Sequence, residues 1–250
     1  MSAGRTIPGM RAPTDPPARW RQRPLRAVLF DLDGTLLDTL TDIALALNRA
    51  LAERGWGPVP VELVRTMIGR GSPILVRRAA RFLGQALDEP GEAQILERFF
   101  AHYGELEQRG DRAAQPFDGA TAALQRLHAA GLKIAVVTNK QFRFADALIR
   151  DLDLARWIDL VVGGDSCERR KPDPEPLLHA CVRLDVAPEA ALMVGDSVND
   201  VEAARGAEIP VICVTYGYDE GRDPRTLACD LLIESLAQLP GLLLGDPPQP

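Results

Sequence analysis

The chain has 250 residues, of which 46% are hydrophobic and 26% are charged, and its net charge is -6. These are ordinary values for a globular protein with one large domain, or with one domain that carries an insert. The acidic surplus argues against a nucleic-acid partner, which would need a basic face, and no apolar run of 18 residues predicts a membrane span.

The beginning of the chain differs in composition from the rest. Residues 1–26 contain six Arg and one Asp, a charge of +5, so the remainder carries -11. Five Pro interrupt any helix there, and no apolar segment typical of a secretory signal is present. We predict that residues 1–24 are a disordered basic tail or a misassigned start. A transit peptide is the alternative, which the single Ser and the lack of an amphipathic stretch disfavour.

The first predicted strand spans residues 27–32, and some 75 residues without a convincing strand follow it. Apolar side chains at positions 40, 43, 44, 47 and 51 have the spacing of an amphipathic helix. A second helix is expected to start with Ser72 as N-cap and Pro73 in its first position, and a third to span about 92–108. This pattern predicts an all-helical cap, residues 41–115, inserted after the first strand.

Short apolar runs alternate with helical segments in the rest of the chain. The later predicted strands are 133–138, 160–162, 191–194, 211–214 and 231–233, and the predicted helices are 120–130, 142–152, 175–184 and 200–205. Strands without polar alternation are typical of a parallel sheet covered by helices on both faces. We therefore predict an α/β fold, a doubly wound parallel sheet with a Rossmann-like core formed by residues 25–40 and 116–240, and a flexible end at 241–250.

The four cysteines contain no C-x-x-C pair, which argues against zinc and thioredoxin-like sites. Reduced thiols are typical of cytosolic proteins, so we expect a cytoplasmic location.

Polar residues follow the predicted strands, at the edge where open α/β sheets bind ligands. They are Asp31 and Asp33 after the first strand, Thr138 and Asn139 after the second, Lys171 in a Pro-rich loop, and Asp196 and Asp200 after a later strand. A second Asp-x-Asp pair at 151–153 follows a helix without a glycine turn, and we interpret it as a solvated helix end. The pair at 31–33 precedes Gly34, which permits a tight turn.

Phosphoryl transfer is a chemistry that uses these residue types. A carboxylate can act as the nucleophile, and a second one two residues later points to the same side of an extended chain, where it can serve as general acid and base. Several carboxylates and a phosphate group require a compensating cation, and hard oxygen ligands favour Mg²⁺. A lysine and a hydroxyl would hold the transferring oxygens.

Four ordered motifs resemble those of the haloacid dehalogenase superfamily, and the helical insert lies where its cap domain belongs. They are DLDGTLLDT at 31–39, VVTNK at 136–140, RKPDP at 170–174 and GDSVND at 195–200. The resemblance implies that Asp31 is the nucleophile and Asp33 the general acid and base. It also implies phosphate binding by Thr138 and Asn139 and charge balance by Lys171. The implied Mg²⁺ ligands are the Asp31 carboxylate, the Asp33 carbonyl oxygen and Asp196. Asp200 is implied to lie next to these ligands, where it would hold Lys171 or a metal-bound water.

Longer segments at 163–181, 195–218 and 67–71 resemble bacterial phosphoglycolate phosphatases, which implies hydrolysis of 2-phosphoglycolate to glycolate. Asp33 argues against the superfamily's dehalogenases, which lack an acid there. Arg70, in a cap loop between two glycines, is a candidate for binding the substrate carboxylate, since guanidinium suits a bidentate contact. It stands where an amide residue is frequent in the family, and a solvated arginine on a turn is the equal alternative.

The leading hypothesis is an Mg²⁺-dependent phosphatase that works through an aspartyl-phosphate on a small phosphate ester. The same mechanism on a sugar phosphate, a nucleotide or pyrophosphate is the alternative. A phospho-accepting signalling module is disfavoured because such modules lack a cap and the second acid, and an idle binding subunit because the catalytic set is intact. A monomer or a small homo-oligomer is expected.

Overall fold

The structure is a computed structural model that describes residues 18–218 and 220–245. Its strands are β1 (Arg19–Trp20), β2 (Arg23–Pro24), β3 (Ala27–Phe30), β4 (Leu37–Asp38), β5 (Gln115–Pro116), β6 (Lys133–Val137), β7 (Leu160–Val162), β8 (Ala191–Gly195), β9 (Val211–Val214) and β10 (Leu231–Ile233). Its α-helices are α1 (Leu40–Ala52), α2 (Val61–Arg65), α3 (Ser72–Phe82), α4 (Glu89–Arg109), α5 (Ala120–Ala129), α6 (Phe142–Asp151), α7 (Glu175–Leu184), α8 (Val198–Gly206) and α9 (Leu239–Leu244).

Six strands form one sheet in the order β10-β9-β8-β3-β6-β7, and every neighbouring pair is parallel. The predicted doubly wound α/β fold is therefore confirmed. Strand β3 lies between β8 and β6, where Leu29 pairs with Ala135 on one side and Met193 on the other. The carboxyl ends of these three central strands consequently share one edge of the sheet.

Both faces of the sheet are buried, which explains the absence of polar alternation in its strands. Val28 and Phe30 of β3 belong to a core covered by α5, α6 and α9. Ala27 and Leu29, which point to the opposite face, belong to a second core covered by α7 and α8. Each strand therefore contributes apolar side chains to two hydrophobic layers.

Helices α1 to α4 form the predicted cap, and their apolar side chains share a hydrophobic core with Phe144 and Tyr218 of the sheet domain. The prediction overlooked one feature: β4 and β5 pair antiparallel at the base of the cap, with Leu37 opposite Pro116. Two residues are too few to produce a periodic pattern. Helix α3 also has Gly71 rather than Ser72 as its N-cap residue, because the chain enters the helix one residue earlier than predicted.

The chain is ordered further toward both ends than predicted. Residues 19–24, predicted to lie in a disordered tail, form the β1–β2 hairpin, in which Trp20 is buried against the core. The predicted flexible end overlaps α9, whose Leu243 is buried in the same core. Residues 1–17 and 246–250, the other parts of these predictions, lie outside the described residues. Apolar contacts of Trp20 and Leu243 with the sheet domain explain why residues 19–24 and α9 are ordered.

The four cysteines carry free thiols, as expected. Among the described residues, no helix has the length and apolar character needed to cross a membrane.

Candidate active site

The central strands bring six of the predicted residues together at one edge of the sheet. Asp31 and Asp33 follow β3, Thr138 follows β6, and Asp196 and Asp200 follow β8. Lys171 enters from the loop before α7 and contacts Asp31. The order β8-β3-β6 explains this convergence. These strands are adjacent and parallel, so the residues that follow them lie at the same edge of the sheet although they are far apart in sequence.

Asp31 is a buried carboxylate with one engaged oxygen. Its Oδ1 accepts a hydrogen bond from the Leu32 amide at 2.7 Å and lies 3.0 Å from Lys171 Nζ. Its Oδ2 makes no hydrogen bond to the described part of the chain. Burial raises the pKa of Asp31 to about 7, against the opposing effect of Lys171 and with a further rise from the Asp200 carboxylate. The free oxygen is thus available to a metal ion or to a phosphorus atom.

Lys171 uses all three of its N–H donors within the protein. Its Nζ lies 2.6 Å from the Val137 carbonyl oxygen, 2.6 Å from Asp200 Oδ1 and 3.0 Å from Asp31 Oδ1. Burial alone would lower the pKa of Lys171, but the two carboxylates outweigh it and raise the pKa above the usual value. Lys171 is therefore a permanently charged partner that holds Asp31 in place.

Asp200 has no free oxygen. Oδ1 accepts from Lys171, and Oδ2 accepts from the Ser197 amide at 3.0 Å and the Ser197 hydroxyl at 2.8 Å. Ser197 and Asp200 form a capping box at the start of α8. The turn is tight, because a Cβ on Gly195 would lie 2.4 Å from the Asp200 carboxyl carbon. Asp200 thus fixes the turn that carries Asp196 and orients Lys171.

Asp196 accepts hydrogen bonds at both oxygens, from the Thr35 hydroxyl at 3.0 Å and from the Tyr218 amide at 2.5 Å. Burial raises its pKa well above the ordinary value, and repulsion from Asp200 and Asp31 adds to the rise. Gly34 packs against it at φ +90, and a Cβ there would lie 2.4 Å from Asp196 Oδ2. Only glycine satisfies both the backbone angle and the close approach.

These carboxylates fit a divalent cation. Asp31, Asp196 and Asp200 each present an oxygen within 4.8 Å of the others. Three buried carboxylates against the single ammonium of Lys171 leave an excess of two negative charges, which a divalent ion would balance. The carbonyl oxygen of Asp33 accepts no backbone hydrogen bond from the described residues. An all-oxygen donor set of this kind suits Mg²⁺.

Asp33 lies where the core meets the cap. Its Oδ1 accepts from the Thr39 hydroxyl at 2.6 Å and from Lys140 Nζ at 3.0 Å. Thr39 precedes α1 but does not cap it, because the Tyr218 hydroxyl accepts from the Thr39 and Leu40 amides instead. A core tyrosine therefore caps the first cap helix and leaves the threonine hydroxyl free to hold Asp33.

The three predicted substrate contacts are placed differently from one another. Thr138 is buried and lines a cavity of about 50 Å³ between core and cap, together with Asp31 and Asp33. Asn139 also borders this cavity, but its amide nitrogen donates to the carbonyl oxygens of Gly69 and Lys171, each at 2.9 Å. Its side chain thereby ties the cap loop to the core.

Arg70 is not brought to the cavity. Its Nε donates to Glu220 Oε1 at 3.0 Å, and Arg78 contacts the same oxygen at 2.9 Å. The Glu220 side chain is only 6% exposed. In this structure Arg70 is therefore part of an ionic contact between the cap and a core loop, and its predicted contact with substrate stays a prediction.

Sequence reasoning missed several residues of the site. Lys140 stands next to Asn139 in the VVTNK motif, so its position in the motif was a usable signal. Tyr103 looked like a packing residue on the apolar face of α4, and Tyr218 carried no spacing signal at all. Both Asn199 side-chain polar atoms are buried without partners among the described residues, close to Gly69 of the cap loop. Only the fold brings these residues to the site.

Comparison with known proteins agrees with this geometry. The sequence model of the haloacid dehalogenase-like hydrolase family matches residues 28–214. The chain belongs to that family. Among relatives of this hydrolase, a phosphoglycolate phosphatase from Nitrosospira multiformis is 43% identical over 223 residues, covering 88% of the chain and 96% of the relative. Another from Thiobacillus denitrificans is 42% identical and covers 86% and 94%.

The fold of this haloacid dehalogenase-like hydrolase also matches solved structures. A crystal structure from Haemophilus somnus, described as a predicted phosphoglycolate phosphatase, superposes with a TM-score of 0.80 at 30% identity. The match covers 86% of this chain and 96% of that one. The predicted membership in the superfamily is thus confirmed, and the likeness extends through the cap as well as the core.

Proposed function

We propose that this hydrolase is an Mg²⁺-dependent phosphatase that converts 2-phosphoglycolate and water into glycolate and phosphate through an aspartyl-phosphate on Asp31. The observation that carries the proposal is the Asp31 carboxylate, which lines the cavity between core and cap with one oxygen free and the other bound to Lys171. The choice of substrate is supported by the names of the relatives that are 42–43% identical over most of the chain.

The first step transfers the phosphoryl group to the enzyme. The free oxygen of Asp31 attacks phosphorus, and the bond from phosphorus to the glycolate oxygen breaks. The carboxyl group of Asp33 donates its proton to that leaving oxygen, two residues away on the same side of the strand end. The Thr138 hydroxyl, buried in the cavity wall, would hold the transferring oxygens.

The second step regenerates the enzyme. Water attacks the phosphorus of the aspartyl-phosphate, Asp33 accepts its proton, and phosphate leaves with Asp31 restored as a carboxylate. The apolar side chains that the cap contributes to the cavity reduce the access of bulk water to Asp31 during the first step. Thr39 and Lys140 hold Asp33 in reach of both reactions.

Mg²⁺ would be held by the carboxylates of Asp31 and Asp196 and the carbonyl oxygen of Asp33, where it would offset the charge between nucleophile and phosphate. Asp200 would act by orienting Lys171 and the Asp196 turn, since its Oδ1 is bound to the Lys171 ammonium and its Oδ2 accepts three hydrogen bonds, whereas each Asp196 oxygen accepts only one.

Phosphate release from a panel of phosphate esters, with Mg²⁺ or with a chelator, tests the proposal. The panel contains 2-phosphoglycolate, a sugar phosphate, a nucleotide and pyrophosphate. We expect activity only with Mg²⁺, the highest kcat/KM for 2-phosphoglycolate, and a loss of at least about 10³-fold in Asp31→Asn. The matched control is Asp153→Asn in the exposed Asp-x-Asp pair, which should behave as wild type.

Full activity in chelator, or in Asp31→Asn, would refute the mechanism. A higher kcat/KM for another ester in the panel would refute only the choice of substrate. A cytoplasmic location and a monomeric or small homo-oligomeric state stay predictions.

A further inference from the structure

Lys140 is a buried cation to which the mechanism gives only a holding role. Its side chain is 8% exposed, and its Nζ lies 3.0 Å and 3.2 Å from the two carboxylate oxygens of Asp33. Both contacts go to one carboxylate, so the ammonium group keeps donor capacity for another acceptor.

Lys140 is also the cation that a ligand in the cavity would meet. Among the described residues, it is the sole Lys or Arg side chain in the cavity lining. The Lys171 ammonium is already bound to Val137, Asp200 and Asp31. Arg70 forms an ion pair with Glu220. A second negative charge on a substrate would therefore be balanced at Lys140.

Tyr103, on cap helix α4, presents an unpartnered hydroxyl next to this cation. The hydroxyl is buried, and no group in the described part of the chain meets it with full hydrogen-bond geometry, while the Lys140 ammonium lies close enough to interact with it. The Tyr103 side chain lines the same cavity, and Lys140 Nζ lies 4.6 Å from the centre of its ring. A buried hydroxyl without a partner is unfavourable, so a ligand acceptor at this place would satisfy it.

The cavity is small and opens partly to solvent. Its volume of about 50 Å³ is a few times the roughly 10–15 Å³ needed by one water molecule. Much of the remaining wall is apolar, with Phe99, Phe100 and Phe144 among its members. A second acidic group within a few bonds of the phosphate, as in a phosphorylated two-carbon acid, would lie in the same cavity as Lys140 and Tyr103.

We propose that Lys140 and Tyr103 form a carboxylate subsite that selects small phosphorylated acids over neutral phosphate esters of the same size. The ammonium group of Lys140 and the hydroxyl of Tyr103 each donate a hydrogen bond to the substrate carboxylate. Because one donor comes from the core and the other from the cap, binding of the acid also joins the two domains around the substrate. This proposal rests on the phosphatase activity proposed above.

The test compares 2-phosphoglycolate with ethyl phosphate, in which a methyl group replaces the carboxylate. The measured quantity is the ratio of the two kcat/KM values in the presence of Mg²⁺. We expect the ratio to fall by about tenfold or more in Tyr103→Phe and in Lys140→Met, since each removes a donor to a charged acceptor. Two matched controls, Tyr216→Phe and Lys133→Met, lie outside the cavity lining and should leave the ratio unchanged.

Lys140→Met leaves Asp33 without its ammonium partner and can impair folding, so circular dichroism and thermal melting accompany the kinetics. Tyr103→Phe removes one unpartnered atom and keeps the ring, and it therefore tests the subsite when Lys140→Met is unfolded.

Three results would overturn the subsite. Equal loss for both esters would mean that Lys140 and Tyr103 act on the phosphate or on Asp33 instead. A wild-type ratio near one would mean that no carboxylate is recognised. A larger loss for pyrophosphate than for 2-phosphoglycolate would assign the subsite to a second phosphate. Absence of Mg²⁺-dependent phosphate release from every ester would instead refute the proposed phosphatase activity, and the subsite with it.

Discussion

In the absence of divalent metal ions, the folded state is expected to lose stability as the pH rises from about 4 to 7. Burial raises the pKa of Asp31 to about 7 in the folded chain, whereas the ordinary value is 3.8. Between these values the folded chain keeps a proton that the unfolded chain has released. The contribution of Asp31 to the free energy of unfolding is therefore largest below pH 4, and it is lost as the pH rises through the folded-state pKa.

The size of the effect follows from the difference in pKa. A difference of about 3 pKa units corresponds to about 4 kcal/mol of unfolding free energy. For a chain of this length, 1 kcal/mol shifts the melting temperature by about 2–4 °C, so the loss amounts to roughly 10 °C. Asp196, whose pKa is also raised by burial, acts in the same direction.

Mg²⁺ should reverse this loss, because at the proposed site it would bind the ionised carboxylates. Metal ion and proton compete for the same oxygen, so the apparent affinity should fall by up to about tenfold for each pH unit below about 7. The increase in melting temperature caused by Mg²⁺ is therefore expected to be larger at pH 8 than at pH 5.

The assay is calorimetry at the two pH values, each with chelator and with excess Mg²⁺. Asp31→Asn should stabilise the metal-free protein at pH 8 and remove most of the pH dependence of the Mg²⁺ effect, while Asp153→Asn should leave both as in wild type. Comparing variants at the same pH cancels the other carboxyl groups. An Mg²⁺ effect of equal size at pH 5 and pH 8, or unchanged in Asp31→Asn, would refute the reasoning.

Two further predictions concern the surroundings of the site. Gly34→Ala should abolish Mg²⁺-dependent stabilisation, because its Cβ would collide with Asp196, whereas Gly55→Ala, at a similar positive φ in open space, should affect stability by only about 1 kcal/mol. Melting curves with and without Mg²⁺ decide this, and normal Mg²⁺ stabilisation in Gly34→Ala would contradict it. Glu220→Gln should weaken the ionic contact with the cap arginines, raise KM about five-fold and speed proteolysis between cap and core. Unchanged KM and unchanged proteolysis would show that this contact does not hold the cap.

Much of the fold could be predicted from local sequence. The six sheet strands were recognisable because each is a short apolar run, and an apolar run without alternation has few places in a protein other than a sheet buried on both faces. The paired strands β4 and β5 could not be found this way, because their two-residue pairing joins positions 37 and 116, far apart along the chain.

Some residues of the site could likewise be predicted from local sequence, and others could not. Asp31, Asp33 and Asp196 follow strands whose carboxyl ends meet in any doubly wound sheet, so their convergence needed only the order of the motifs. Arg70 looked equally suited to a substrate, but the folded chain places Glu220 beside it. Its partner depends on a loop 150 residues away, to which no local pattern points.

The sequence by itself thus determined the α/β class, the helical insert after the first strand and the carboxylates that meet at one edge of the sheet, because periodicity and strand ends are local properties. Only the tertiary structure decided which of the three lysines faces the cavity, which hydroxyl lies buried without a partner beside it, and how little room the cap leaves for a substrate. Those properties arise where α4 packs against Phe144 at the start of α6, and contacts between distant segments depend on the packing of the whole chain.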